Sequence, residues 1–199
     1  MDRREYFDGL SSRWDSFTDA AKVQGALATM LHGFGLRSDE HILDLGCGTG
    51  NLTQVLCSVL GARGCITAVD LAPAMIATAR ERVTDPRVQW VVADAMSLPL
   101  PDASVDRVIC FSAWAHFPDP WRVAKELGRV IRTDGQLHIV HIDGRDKINA
   151  IHTGAGGAIG HDLLPPAADL VSLLRAVGYA VAGEVDTPDS YRVSARWVQ

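Results

Sequence analysis

The chain has 199 residues, 47% of them hydrophobic and 22% charged, and its 19 basic against 24 acidic residues leave a net charge of -5. That is apolar material enough for one buried α/β core, and the charge balance excludes a broadly cationic surface able to neutralise nucleic-acid phosphates or an anionic membrane. The expected partner is a small molecule rather than nucleic acid or membrane. With only short apolar runs and a polar start at Met1-Asp2-Arg3-Arg4-Glu5, the expected location is the cytoplasm.

After a polar N-terminal stretch, strand-like runs alternate with segments of helical spacing, the pattern of a parallel sheet covered on both faces. The first five runs, β1 to β5, are His41 to Leu45, Cys65 to Val69, Val88 to Val92, Val105 to Cys110 and Gln136 to Ile142. Asn51 to Gly61, Pro73 to Val83 and Pro120 to Ile131 repeat apolar residues at helical intervals between them, two with proline at a first turn. Beyond β5, the Gly-rich stretch Asp143 to Leu164 gives little strand signal and is expected to be a long functional loop. Pro165 to Val177 is expected as an amphipathic helix ending at Gly178, followed by β6 (Tyr179 to Val185) and β7 (Tyr191 to Val198). The short, turn-rich connection Asp186 to Ser190 predicts that these two form an antiparallel hairpin. Cys47, Cys57, Cys65 and Cys110 show no CxxC or zinc-like spacing and are expected as buried reduced thiols.

The most informative segment is His41-Ile42-Leu43-Asp44-Leu45-Gly46-Cys47-Gly48-Thr49-Gly50, a strand running into three alternating glycines and then a helix. Glycine permits the tight turn and removes the Cβ that would keep a ligand from the backbone, and the helix start offers unpaired N–H groups. A dinucleotide fold usually carries a small third residue in GxGxxG or GxGxxA, but that position is Asn51 here. Asp70 closes β2, twenty residues past Gly50, where a carboxylate can accept both ribose hydroxyls. Asp94 follows β3. All three carboxylates, Asp44, Asp70 and Asp94, fall at the carboxyl ends of strands, where open α/β sheets bind ligands.

The DxGxGxG pattern, with Asp44 leading Gly46, Gly48 and Gly50, resembles the class I S-adenosylmethionine-dependent methyltransferases, small-molecule enzymes of the type 11-like group. The likeness runs from about Glu40 to Ile142 and includes Leu98-Pro99-Leu100-Pro101-Asp102 before β4 and Leu127-Gly128-Arg129-Val130-Ile131-Arg132 before β5. Thr133-Asp134-Gly135 departs from the Pro-Gly-Gly common in relatives. The resemblance implies a single Rossmann-like, doubly wound domain with seven strands, mostly parallel and one antiparallel. It implies S-adenosyl-L-methionine as methyl donor, S-adenosyl-L-homocysteine as product, and an adenine contact for Asp94. Leu71, Ala95 and Phe111 complete the expected cofactor set. Residues 1–35 are then expected as a helical cap, with aromatics of Tyr6 to Asp15 folding over the cofactor; 36–142 as the cofactor-binding core; and 143–199 as the acceptor-side loop, helix and terminal hairpin.

Methyl transfer from a sulfonium needs mainly positioning and exclusion of water, helped by a base near neutral pH when the acceptor must lose a proton. His116, in the loop after β4, is the leading candidate base, with Trp114 as a pocket wall. His141 and His152 are further catalytic candidates on the acceptor side. Strand alternation places His138 and His141 on opposite faces. A divalent metal drawn from His141, His152 and His161 is one reading of the histidines after β5; a polar loop bonding substrate, backbone or water is the other. The functional alternatives are a noncatalytic methyltransferase-like module and an NAD-dependent oxidoreductase.

Overall fold

A computed structural model describes residues 2–17 and 19–198. Its elements run α1 (Arg3–Leu10), a 3-10 turn (Trp14–Phe17), α2 (Ala20–Gly33), β1 (His41–Leu45), α3 (Asn51–Val59), β2 (Cys65–Asp70), α4 (Pro73–Arg82), β3 (Val88–Val92) and β4 (Val105–Phe111). A second 3-10 turn (Trp114–His116), α5 (Pro120–Val130), β5 (Ile131–His141), α6 (Arg145–Ala155), α7 (Ala167–Val177), β6 (Tyr179–Thr187) and β7 (Ser190–Trp197) complete the chain.

Local chemistry accounts for many boundaries. Asp2 and Glu5 form a reciprocal capping box that starts α1, and Asp19 caps α2 through the Ala21 and Lys22 amides. Pro73 and Pro120 occupy the first turns of α4 and α5, where a missing N–H costs nothing. Gly178, at φ 120°, ends α7 in a conformation that glycine adopts without strain.

The seven strands lie in the order β3-β2-β1-β4-β5-β7-β6. β1 to β5 are parallel, and β7 runs antiparallel to both β5 and β6, which makes it the one reversed strand, as the hairpin reading required. α5 and α7 bury Val123, Leu127, Leu170 and Leu174 on one face of the sheet. α2, α3 and α4 cover the other through Leu27, Leu31, Leu52, Leu56 and Ile76. The chain order reverses between β1 and β4, opening a crevice at their carboxyl ends.

Three expectations need correction. The segment from 143 to 164 is not a plain loop, because Arg145–Ala155 is helical; its apolar positions are sparse and His152 is its one buried residue, so the periodic signal was weak. Only Cys47 and Cys110 are buried: Cys65 is exposed and Cys57 half-buried, and all four are free thiols. Trp114 is not a pocket wall but is buried in the core, edge-on to Phe117.

Candidate active site

The turn after β1 is held by three left-handed glycines, Gly46, Gly48 and Gly50, with φ of 72°, 53° and 85°. They serve different ends. A Cβ on Gly46 would collide with the Ala113 side chain, so glycine lets β1 and the post-β4 loop meet. At Gly48 the nearest atom to such a Cβ is Trp14 Nε1 at 3.9 Å, so that face is open toward the cavity. Gly50 faces the protein, where a Cβ would lie 3.3 Å from Ala79 Cβ and 3.4 Å from the Trp90 ring, and it does not line the cavity.

The cavity encloses about 420 Å³ at the carboxyl ends of β1, β2 and β4. Of the expected cofactor residues, Asp44, Gly46, Gly48, Asp70, Leu71, Asp94, Ala95 and Phe111 line it, and so does His116. Ser112, also on the wall, has φ 54°, a strained value for a residue with a side chain, and turns the chain from β4 into the His116 segment.

The carboxylates differ in state. Asp44 is fully buried; Oδ2 accepts from Thr53 Oγ1 at 2.6 Å, while Oδ1 has no partner. Burial, with the nearby Asp70 charge, outweighs the Thr53 hydrogen bonds and lifts its pKa to about 7. Asp70 accepts from the Gly48 amide through Oδ2 and the Ala72 amide through Oδ1, both at 2.9 Å. Burial raises its pKa too, against those amides. Asp94 accepts from the Met96 amide at 2.8 Å and sits exposed at the rim.

The N-terminal segment covers this cavity. Phe7 and Trp14 line it, in edge-to-face contact with each other, and Phe7 also meets the His116 ring with centroids 5.0 Å apart. Asp15 bonds Thr49 and Asn51 and pairs with Arg82, while Asp8 caps the start of α4 at the Ala74 amide. These acidic anchors bonding the glycine loop and the start of α4 carried no recognisable spacing in the sequence.

Beside the cavity the chain gathers His116, His152, His141 and Asp162. His116 Nδ1 lies 2.9 Å from Asp162 Oδ2, and its ring centroid is 4.7 Å from that of His152. His152 Nδ1 bonds the Asp162 carbonyl. Arg3 of α1 binds both oxygens of the Asp162 carboxylate. Burial works to raise Asp162, but the hydrogen bonds from His116 and Arg3 outweigh it and hold the carboxyl at about 2. His141 lies behind this group, 1% exposed, edge-on to Tyr191, with neither ring nitrogen bonded. Burial first, then His116 and His152, push its pKa down to about 3. His141 and His152 do not line the cavity. His138 is on the opposite face, stacked on Phe34, as alternation required.

The metal reading is corrected. Among the described residues no three His, Cys, Asp or Glu side chains are placed to hold a metal ion. His161 is exposed, His152 is turned onto a backbone carbonyl and His141 is sealed away. The contact between Arg3 and Asp162 spans 159 residues and leaves no local signal in the sequence.

A parallel sheet with a glycine turn and strand-end carboxylates around one cavity defines a nucleotide-type ligand site. Residues 43–139 match the methyltransferase domain family. The chain is thus similar to the methyltransferase domain family over those residues, just under half of its length. It is 32% identical over 136 residues to the 27-O-demethylrifamycin SV methyltransferase of Amycolatopsis mediterranei, covering 66% of this chain and 47% of that protein. To the malonyl-[acyl-carrier protein] O-methyltransferase of a Marinomonas species it is 38% identical over 132 residues, covering 66% and 48%. The chain thus spans about half the length of these relatives. An S-adenosylmethionine-dependent methyltransferase from Aquifex aeolicus shares the fold, with TM-score 0.73 at 22% identity over 91% of this chain and all of that one. Among the described residues no helix is long and apolar enough to cross a membrane.

Proposed function

We propose that the chain transfers the methyl group of S-adenosyl-L-methionine to an oxygen of a small-molecule acceptor, with His116 as the base. The observation that carries this reading is the 2.9 Å contact of His116 Nδ1 with Asp162 Oδ2 at the wall of the cavity. A carboxylate can only accept, so it fixes the Nδ1–H tautomer and leaves Nε2 free to take a proton. Both relatives named above act on oxygen by their names, one on a rifamycin and one on a carrier-bound malonyl group.

The donor site fits the cofactor by its own chemistry. Asp44 presents an unpartnered buried oxygen to the cavity, and a cationic ligand supplies what it lacks. Asp70 is the carboxylate for the ribose hydroxyls, Asp94 with Ala95 the contact for the adenine edge, and Leu71 and Phe111 apolar walls for the base. When bound, S-adenosylmethionine supplies a methyl group on a sulfonium and leaves as S-adenosylhomocysteine. His116 Nε2 takes the acceptor's hydroxyl proton as the oxygen–methyl bond forms and the sulfur–methyl bond breaks. Asp162 holds the imidazolium, and Phe7 and Trp14 keep water out. In this reading residues 1–35 are the cap, 36–142 the donor site and 143–199 the acceptor side.

The test is transfer of labelled methyl from S-adenosylmethionine to a panel of phenols, hydroxylated macrolides and carboxylic acids, with His116→Ala alongside. Transfer to oxygen acceptors that falls by about a hundredfold or more in His116→Ala is the expected result, the usual scale for loss of a general base. A fully active His116→Ala protein rejects the base. Thermal stabilisation by S-adenosylhomocysteine and not by NAD separates the reading from an oxidoreductase; stabilisation without transfer to any acceptor would favour a noncatalytic module.

A further inference from the structure

His116 does not hold Asp162 alone. The oxygen that faces His116 Nδ1 at 2.9 Å, Asp162 Oδ2, also accepts from Arg3 Nε at 3.0 Å, and Arg3 Nη2 takes the other oxygen. Asp162 is 2% exposed, His116 13% and Arg3 35%, so the fork reaches in from the surface to a carboxylate that water does not reach. Arg3 belongs to α1, which buries none of its own residues. The helix is held over the cavity by a few anchors instead: Arg3 on Asp162, Asp8 on the Ala74 amide, and the ring of Phe7 on His116. An element with so little buried surface detaches at low cost.

We propose that Arg3 is a positioning residue that couples closure of the N-terminal helix to the readiness of His116: docking of α1 engages the same carboxylate oxygen that holds the histidine, so His116 stands ready to accept a proton in the closed pocket. The proposal rests on His116 as the base and adds to it a residue of the cavity wall that acts on the base through Asp162.

The reasoning is electrostatic. With α1 away, Asp162 gives its whole charge to His116, which favours the imidazolium. When Arg3 docks, it draws on that charge and places a second cation within hydrogen-bonding reach of the same oxygen; both effects disfavour a protonated ring. Docking of Arg3 and protonation of His116 therefore oppose each other across the one carboxylate. The other groups facing His116 do not oppose this. His152 from α6 has its pKa lowered, chiefly by burial, and His141 from β5 is held neutral. Phe7 from α1 is apolar, and Asp2 and Arg4 line the same cavity with one charge of each sign.

The test needs no acceptor. In the full chain saturated with S-adenosylhomocysteine, the ring of His116 is followed by NMR from pH 5 to 9, its signal assigned by loss in His116→Gln. In Arg3→Met the titration midpoint of His116 is expected to rise by about half a pH unit or more, the scale for removing one partly exposed neighbouring cation. Arg3→Lys is expected to return most of the way, and Asp162→Asn to lower the midpoint below that of the natural chain. A midpoint that is unchanged or lower in Arg3→Met overturns the coupling. Activity in His116→Ala tests the base separately, so the two ideas fail on different measurements.

Discussion

Asp44 is expected to make cofactor binding a proton-linked event whose size follows from its environment. The carboxyl is fully buried, one oxygen bonded to Thr53 and the other bare, and burial lifts its pKa to about 7. A cationic ligand at the bare oxygen requires the ionised form, so binding must expel the proton that the free protein holds. With a free-state pKa of about 7 and full ionisation in the complex, the binding-competent fraction is roughly 1 in 100 at pH 5 and 1 in 2 at pH 7. Affinity is then expected to rise about fifty-fold over that range, or about 2.3 kcal/mol. An α-amino group on the ligand stays protonated throughout it. Calorimetric titration of S-adenosylmethionine at pH 5, 6 and 7, in two buffers of different ionisation enthalpy, reads both the affinity and the release of nearly one proton at pH 6. Asp44→Asn is expected to bind with little pH dependence. Binding by the natural chain that is flat from pH 5 to 7 and releases no proton refutes the assignment of a cation to Asp44.

The frame of the molecule was legible because its signals are local. Strands at 41–45, 65–70 and 88–92 are short apolar runs with turn residues on both sides, and Gly46 and Gly48 follow β1 at a spacing that marks a tight turn at the cavity wall. The reversed strand could be read from the hairpin connection alone. What could not be read lies in contacts between distant segments. Helix α6 has no side-chain N-cap and a single buried residue, so neither capping nor periodicity announced it. Asp162 looked like one more polar loop residue until the fold carried Arg3, His116 and His152 onto it. Gly50 shows the reverse error. In the sequence it is one of three like glycines, but in space it faces Ala79 and Trp90 and shapes the helix start, which is packing rather than ligand contact.

Gly46 and Gly48 are expected to separate cleanly. Gly46→Ala collides with Ala113 and strains a φ of 72°, so it should lower the melting temperature by several degrees, whereas Gly48→Ala, open to the cavity, should cost less stability and more cofactor affinity; calorimetry and titration of the pair check this. The acid side of the stability curve carries the remaining prediction, which concerns His141. Its folded pKa, pushed down to about 3 by burial and by His116 and His152, lies below the ordinary value of about 6.5 for an unfolded chain. The unfolded state therefore binds the extra proton, and stability falls as pH drops below about 6.5, the loss levelling off only near 3. Asp44 works in the opposite sense, since its raised pKa favours the folded state as pH falls from about 7, and it masks part of the loss in the natural chain. A difference measurement removes that mask. His141→Phe keeps a planar ring in an apolar position where neither nitrogen was bonded, so its stability relative to the natural chain should improve by about 2 kcal/mol between pH 6 and pH 4 as the histidine's proton demand drops out. Urea denaturation of both proteins at half-unit steps reads that difference directly, and a gap that does not change with pH shows that His141 is not held neutral in the fold.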